Sequence, residues 1–168
     1  NQATILQRII STPMSSATLS SEPSYDAISQ EYKDSKQLAF RTFVEAYTLE
    51  KLMGDVRGLE ILDLACGEGI YSRKLSNAGA SRVVGVDLSP NMIELANEAE
   101  SRDPLDCEYL VGDASQLGKV GTFDLVLGSY LLNYASSKEV ARGFAETIHT
   151  NLKSGGRFVG MNDNPAQD

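Results

Sequence analysis

Five short runs of β-branched and aliphatic residues recur along the chain with helical stretches between them, and this alternation constrains the fold more than any other feature. They are LEILDLA at 59–65, RVVGVDL at 82–88, CEYLVGD at 107–113, FDLVLGSY at 123–130 and GRFVGMN at 156–162. Each reads as a buried strand. The intervening segments carry helix signals. Leu38, Phe40, Phe43, Val44, Tyr47 and Leu52 fall at helical spacing ahead of Gly54, which predicts a helix over about 36–53. Glu68 to Ala78 carries Ile70, Leu75 and Ala78 on one side before Gly79 stops it. Ser89 and Pro90 read as N-cap and first helical position, with Met92, Leu95, Ala96 and Ala99 as the inward stripe. Ser136 and Glu139 have capping-box spacing, followed by Val140, Phe144, Ile148 and Leu152, with Gly155 and Gly156 as the stop. Strands alternating with helices make βαβ units, so the expected class is α/β with a parallel sheet flanked by helices.

The chain has 168 residues, and its 15 basic against 23 acidic side chains leave a net charge of -8. That balance argues against a surface that neutralises nucleic-acid phosphates and favours a cationic small molecule. Two cysteines, Cys66 and Cys107, and the single histidine, His149, are too few for a disulfide framework or a zinc site, so no metal is expected. No run reaches the roughly 18 apolar residues of a membrane span, and a soluble cytoplasmic protein follows as the expectation. Residues 1–21 contain one arginine, no acid and many serines and threonines, which predicts a disordered tail ahead of one domain at 22–168. The same acid-poor, serine-rich character is shared by mitochondrial transit peptides.

In an open parallel sheet the ligand lies beyond the carboxyl ends of the strands, so the strand-end loops carry the chemistry. The first is Asp63-Leu64-Ala65-Cys66-Gly67-Glu68-Gly69, whose small residues permit a sharp turn and close backbone approach. Asp87 ends the second strand about 20 residues further on, where a carboxylate grips ribose hydroxyls. A dinucleotide fingerprint needs a third glycine, but Ser72 stands there, and Asp63 would oppose a pyrophosphate. S-adenosylmethionine has no phosphate and presents cationic groups to that carboxylate.

Leu62-Asp63-Leu64-Ala65-Cys66-Gly67-Glu68-Gly69, Val86-Asp87-Leu88-Ser89 and Gly112-Asp113-Ala114 together resemble the first three motifs of class I S-adenosylmethionine-dependent methyltransferases. The resemblance runs from about Tyr25 to the end of the chain and implies a Rossmann-like, doubly wound sheet. It implies that Asp63, Ala65 and Gly67 contact the methionine portion, that Asp87 binds the ribose, and that Leu88 and Met92 pack on the adenine. Asp113, with Ala114 beside it, would accept from the adenine amino group, and Ser129 and Tyr130 would line the methyl-transfer face. Tyr25 and Tyr32 resemble the tyrosine-bearing segment that folds over the cofactor in many small-molecule methyltransferases. Residues 129–135 and 156–165 are similar to a subgroup that includes the toxoflavin-biosynthesis N-methyltransferase.

Structural roles compete at several positions. Cys66 reads as a small packed thiol, and His149 as a helix-end side chain favoured by the dipole. Tyr130 and Tyr134 fit either an acceptor pocket or an amphipathic wall. Such domains ordinarily continue past the fifth strand with a helix and two more strands, so the resemblance implies either a fragment or a sheet truncated after that strand. The second alternative would leave Phe158, Val159 and Met161 at an exposed hydrophobic edge. The expected function is methyl transfer to a small-molecule acceptor. A non-catalytic or partner-dependent cofactor-binding chain and an NAD-dependent oxidoreductase are the competing readings.

Overall fold

The structure, a computed structural model, describes residues 44–163. The expected tail, Tyr25, Tyr32 and the first part of the helix over 36–53 lie outside the described residues. In chain order the elements are α1 (Ala46–Met53), β1 (Glu60–Leu64), α2 (Ile70–Asn77), β2 (Arg82–Asp87), α3 (Pro90–Arg102), β3 (Cys107–Val111), β4 (Phe123–Ser129), a 3-10 turn (Leu131–Tyr134), α4 (Lys138–Asn151) and β5 (Leu152–Met161).

The strands form one sheet in the order β3-β2-β1-β4-β5, and every neighbouring pair is parallel. From β1 the chain steps outward through β2 to β3, then returns to place β4 on the other side of β1. The order therefore reverses between β1 and β4, and in open α/β sheets ligands bind beyond the carboxyl ends at such a point. Successive strand residues face opposite ways. Ile61, Val83, Leu125 and Leu127 enter one cluster with Leu49 and Met53 of α1 and Leu75 of α2. Leu62, Val84, Val86 and Val126 enter another with Phe144 of α4. Helices cover both faces, as a doubly wound sheet requires.

Side-chain ties fix the helices to the sheet. Arg73 of α2 donates to Glu100 of α3 at 2.7 Å, and both side chains are only 16% exposed. Glu100 in turn accepts from the backbone N–H of Leu105 at 2.5 Å, which anchors the approach to β3. Asn151, fully buried at the end of α4, accepts from Val120 and Gly121 N–H and donates to the Gly118 and Thr147 carbonyls.

Several local expectations are corrected. In α1 the buried residues are Ala46, Leu49 and Met53, whereas Val44, Tyr47 and Leu52 are more than half exposed, so the helical period holds but its phase is rotated. In α2 Ser72 and Leu75 are buried while Ile70 and Ala78 are exposed, because the helix begins at Ile70, on the rim of the glycine turn. In α3 the fully buried residues are Ile93 and Ala96, with Met92, Leu95 and Ala99 half-buried beside them. The N-cap of α4 is Ser137, whose hydroxyl accepts from Val140 N–H at 3.3 Å, and not Ser136. The helix stops at Asn151 rather than at the two glycines. Leu152 is already extended, and Gly155, at φ 79°, lies within an irregularity where β5 inserts residues opposite Phe123–Leu125. Phe158, Val159 and Met161 are not left exposed: Val159 is buried, and the other two pack half-buried against the two clusters.

Candidate functional site

The loop after β1 owes its shape to three left-handed residues in alternation: Ala65 at φ 59°, Gly67 at 57° and Gly69 at 80°. Alanine is the smallest side chain that can sit there, and the glycines adopt the conformation without cost. Gly69 is required for space as well, since a Cβ would lie 2.4 Å from the Tyr109 hydroxyl. Gly85 of β2 is bounded by the same tyrosine ring and by the Cys66 thiol. Tyr109, which the sequence reading passed over as an ordinary strand residue, thus supports the turn from below. Burial among the thiols of Cys107 and Cys66 pushes its phenol pKa up.

Two carboxylates hold this loop. Asp63 is 1% exposed and accepts from the Ser72 hydroxyl at 2.6 Å, so the residue that breaks the dinucleotide pattern serves the acid at the end of β1. Asp87 accepts from Gly67 N–H at 2.7 Å through one oxygen and from Ser89 N–H at 2.9 Å through the other. Each carboxylate oxygen has two acceptor sites, so Asp87 retains capacity for two hydroxyl donors. At the end of β3 the Ser115 hydroxyl and backbone N–H, with Gln116, hold the Asp113 carboxyl below its usual range. Gly112 N–H donates to the Asp87 carbonyl at 2.9 Å, which joins the second and third loops.

The remaining candidates surround these acids. Leu88 is 69% exposed, an uncovered apolar side chain directly after Asp87, and Met92 is half-buried one turn into α3. Ala114 is buried in the core below Asp113. Ser129 ends β4 half-buried, and Tyr130 follows in a left-handed conformation at φ 64°. That costs about 1–2 kcal/mol for a bulky residue. Tyr130 N–H donates to the Met161 carbonyl at 2.6 Å, and its phenol donates to the buried carboxylate of Glu45, a residue absent from the sequence reading. Tyr134 is 67% exposed at the end of the 3-10 turn. The paired segments at 129–135 and 156–165 acquire a physical reason here. Leu132 N–H bonds Asn162, and Asn133 and Asp163 exchange two hydrogen bonds, so the two strand ends form one wall. Cys66 is buried and His149 is exposed in the last turn of α4.

Asp63, Asp87 and Asp113 thus line consecutive strand ends, and none of the loops 63–69, 87–92 and 112–115 contains lysine or arginine. A pyrophosphate would meet negative charge on every side. Such a lining suits a phosphate-free ligand that carries positive charge better than a dinucleotide.

Comparison with known proteins identifies the family. The methyltransferase domain family matches residues 61–156. A demethylmenaquinone methyltransferase from Lactococcus lactis is 38% identical over 114 residues, covering 65% of this chain and 44% of that protein. A ribosomal protein L11 methyltransferase from Burkholderia multivorans is 31% identical over 102 residues, covering 61% and 31%. The crystal structure of an S-adenosylmethionine-dependent methyltransferase from Mesorhizobium loti superposes with a TM-score of 0.64 at 34% identity, covering 77% of this chain and 56% of that one. The chain spans less than half the length of these two curated relatives. Among the described residues no helix is long and apolar enough to cross a membrane.

Proposed function

The chain belongs to the methyltransferase domain family, whose cofactor is S-adenosylmethionine, and from that premise we propose that it transfers the cofactor's methyl group to a small-molecule acceptor. The observation that carries this reading is the run of acidic strand ends around a left-handed glycine turn, with no cation among them.

In this proposal Asp63, Ala65 and Gly67 receive the amino-acid end, and the unused acceptor sites of Asp87 take the two ribose hydroxyls. The adenine lies on Leu88 and Met92, with Asp113 and Ala114 at its edge; contact there would remove apolar surface of Leu88 from water. Ser129 and Tyr130 face the reacting methyl group, and Tyr134 stands at the acceptor entrance. When bound, the cofactor supplies an activated methyl on a good leaving group. The protein's part is alignment, and holding two reactants in line is worth up to roughly 7–11 kcal/mol. A small-molecule acceptor is supported by the demethylmenaquinone relative and by two tyrosines at one strand end; the ribosomal-protein relative supports the competing class.

Calorimetric titration with S-adenosylmethionine, S-adenosylhomocysteine and NAD tests the site. Saturable binding of the first two and none of NAD is expected, and a folded chain silent to both nucleosides refutes the assignment. Transfer of labelled methyl to a protein fraction but not to small molecules would reverse the acceptor class.

A further inference from the structure

The cofactor reading leaves one buried carboxylate unused. Glu45 precedes α1 and is 5% exposed, and the Tyr130 phenol donates a hydrogen bond to it. The helix runs antiparallel to the strands. At its far end the Met53 carbonyl accepts from Arg157, near the middle of β5, so its first turn lies at the carboxyl ends of β4 and β5, where the ligand loops gather.

Tyr130 is over-determined at that place. Its left-handed backbone, at φ 64°, is one a bulky residue takes only when its surroundings impose it. Its N–H is bound to the Met161 carbonyl at 2.6 Å, its carbonyl accepts from Asn133 N–H at 3.2 Å, and its phenol is held by Glu45. A phenol that donates to a carboxylate carries extra electron density on its own oxygen and ring. Such a group attracts a positive charge borne on carbon and sulfur, through the ring face and through polarised C–H groups. It does little for the uncharged thioether that remains after the methyl has left.

We propose that Glu45 and Tyr130 form a recognition pair for the sulfonium, raising affinity for the methyl-bearing cofactor relative to its demethylated product. Tyr130 is the contacting group and Glu45 the positioning residue. The inference rests on the cofactor assignment made above.

The test is calorimetric titration of the full chain with S-adenosylmethionine and with S-adenosylhomocysteine, in the wild type and in Glu45→Gln, Tyr130→Phe, the double variant and Glu45→Asp. The affinity ratio of the two nucleosides is expected to fall about three- to tenfold in each of the first two variants. The double variant should lose no more than either single one, and Glu45→Asp, which keeps the charge, should retain most of the ratio. A structural role would weaken both nucleosides in parallel, and that result, or an unchanged ratio, overturns the proposal. Should Glu45→Gln fail to fold, Tyr130→Phe and Glu45→Asp decide the question. Failure of the folded wild type to bind either nucleoside removes the cofactor assignment and this inference with it, whereas binding of both at a constant ratio across the variants removes only this one.

Discussion

Replacing Asp87 with asparagine separates the structural task of this residue from its ligand task. The carboxylate accepts from Gly67 N–H at 2.7 Å and from Ser89 N–H at 2.9 Å, one on each oxygen. Asparagine offers one carbonyl oxygen and one NH2 group, so whichever way the amide turns, one backbone donor faces another donor. Hydrogen bonds to a charged acceptor contribute about 1.5–3 kcal/mol, and a neutral one about 1 kcal/mol. Losing one charged bond and weakening the other, in a half-buried place with some access to water, costs about 2 kcal/mol. For a body of this size roughly 3–4 °C of Tm accompanies each kcal/mol, so the cofactor-free variant should melt about 6–8 °C below the wild type. Differential scanning calorimetry reads this without any ligand, and titration with S-adenosylhomocysteine then reads the lost ribose contacts separately. A Tm shift under about 1 °C would show that the carboxylate does not tie the glycine turn to α3, and the geometric argument for the site would fail with it.

Four further substitutions probe other parts of the fold. Ser115→Ala removes the largest cause of the lowered Asp113 pKa. A depressed folded-state pKa gives stability that is present above the unfolded value and lost as pH falls through the folded one. The variant should therefore be weaker by about 0.5–1 kcal/mol at neutral pH, with the gap closing in urea titrations as pH falls through and below the usual carboxylate range. Gly69→Ala and Gly118→Ala both place alanine at positive φ, but a Cβ at Gly118 meets nothing within 4 Å whereas one at Gly69 meets the Tyr109 hydroxyl. About 1 kcal/mol is expected for Gly118→Ala and about 3 kcal/mol or more for Gly69→Ala, and equal urea midpoints would contradict the steric account. Asn151→Ala leaves two N–H donors and two carbonyls without their partner. Its expected cost is about 3 kcal/mol by chemical denaturation, and a loss under about 1 kcal/mol would show that water replaces the side chain.

What could be read before the structure was what local pattern encodes. Buried strands are nearly uniform in hydrophobicity, so LEILDLA and RVVGVDL announce themselves, and the register that sets Asp63 against Gly85 follows from their parallel pairing. The strand-end positions of Asp63, Asp87 and Asp113 were equally legible, because each acid stands at or just after the end of an apolar run. The phase of each amphipathic helix was less so. A spacing of three or four residues admits several faces, and which one is buried depends on where the helix begins: Ile70 looks apolar enough for the core yet sits at the rim, and Ile93 replaces Met92 as the deepest contact of α3. Partnerships between distant residues left no trace at all. Ser72 beneath Asp63, Tyr109 beneath Gly69 and Glu45 beside Tyr130 depend on strand order, and each polar member looks locally like a surface residue.

The attachment of α1 at both ends has a consequence for how this region opens. Helix formation alone contributes little to the stability of a short segment, so the described part of α1 depends on its anchors. One anchor is Arg157 on β5, the other is Tyr130 just past β4, and Leu49 lies fully buried between them. Fraying from either end is thereby suppressed, and the amide protons of α1 should exchange with deuterium only when the β4–β5 side of the sheet lets go, as a single cooperative unit with a shared opening free energy.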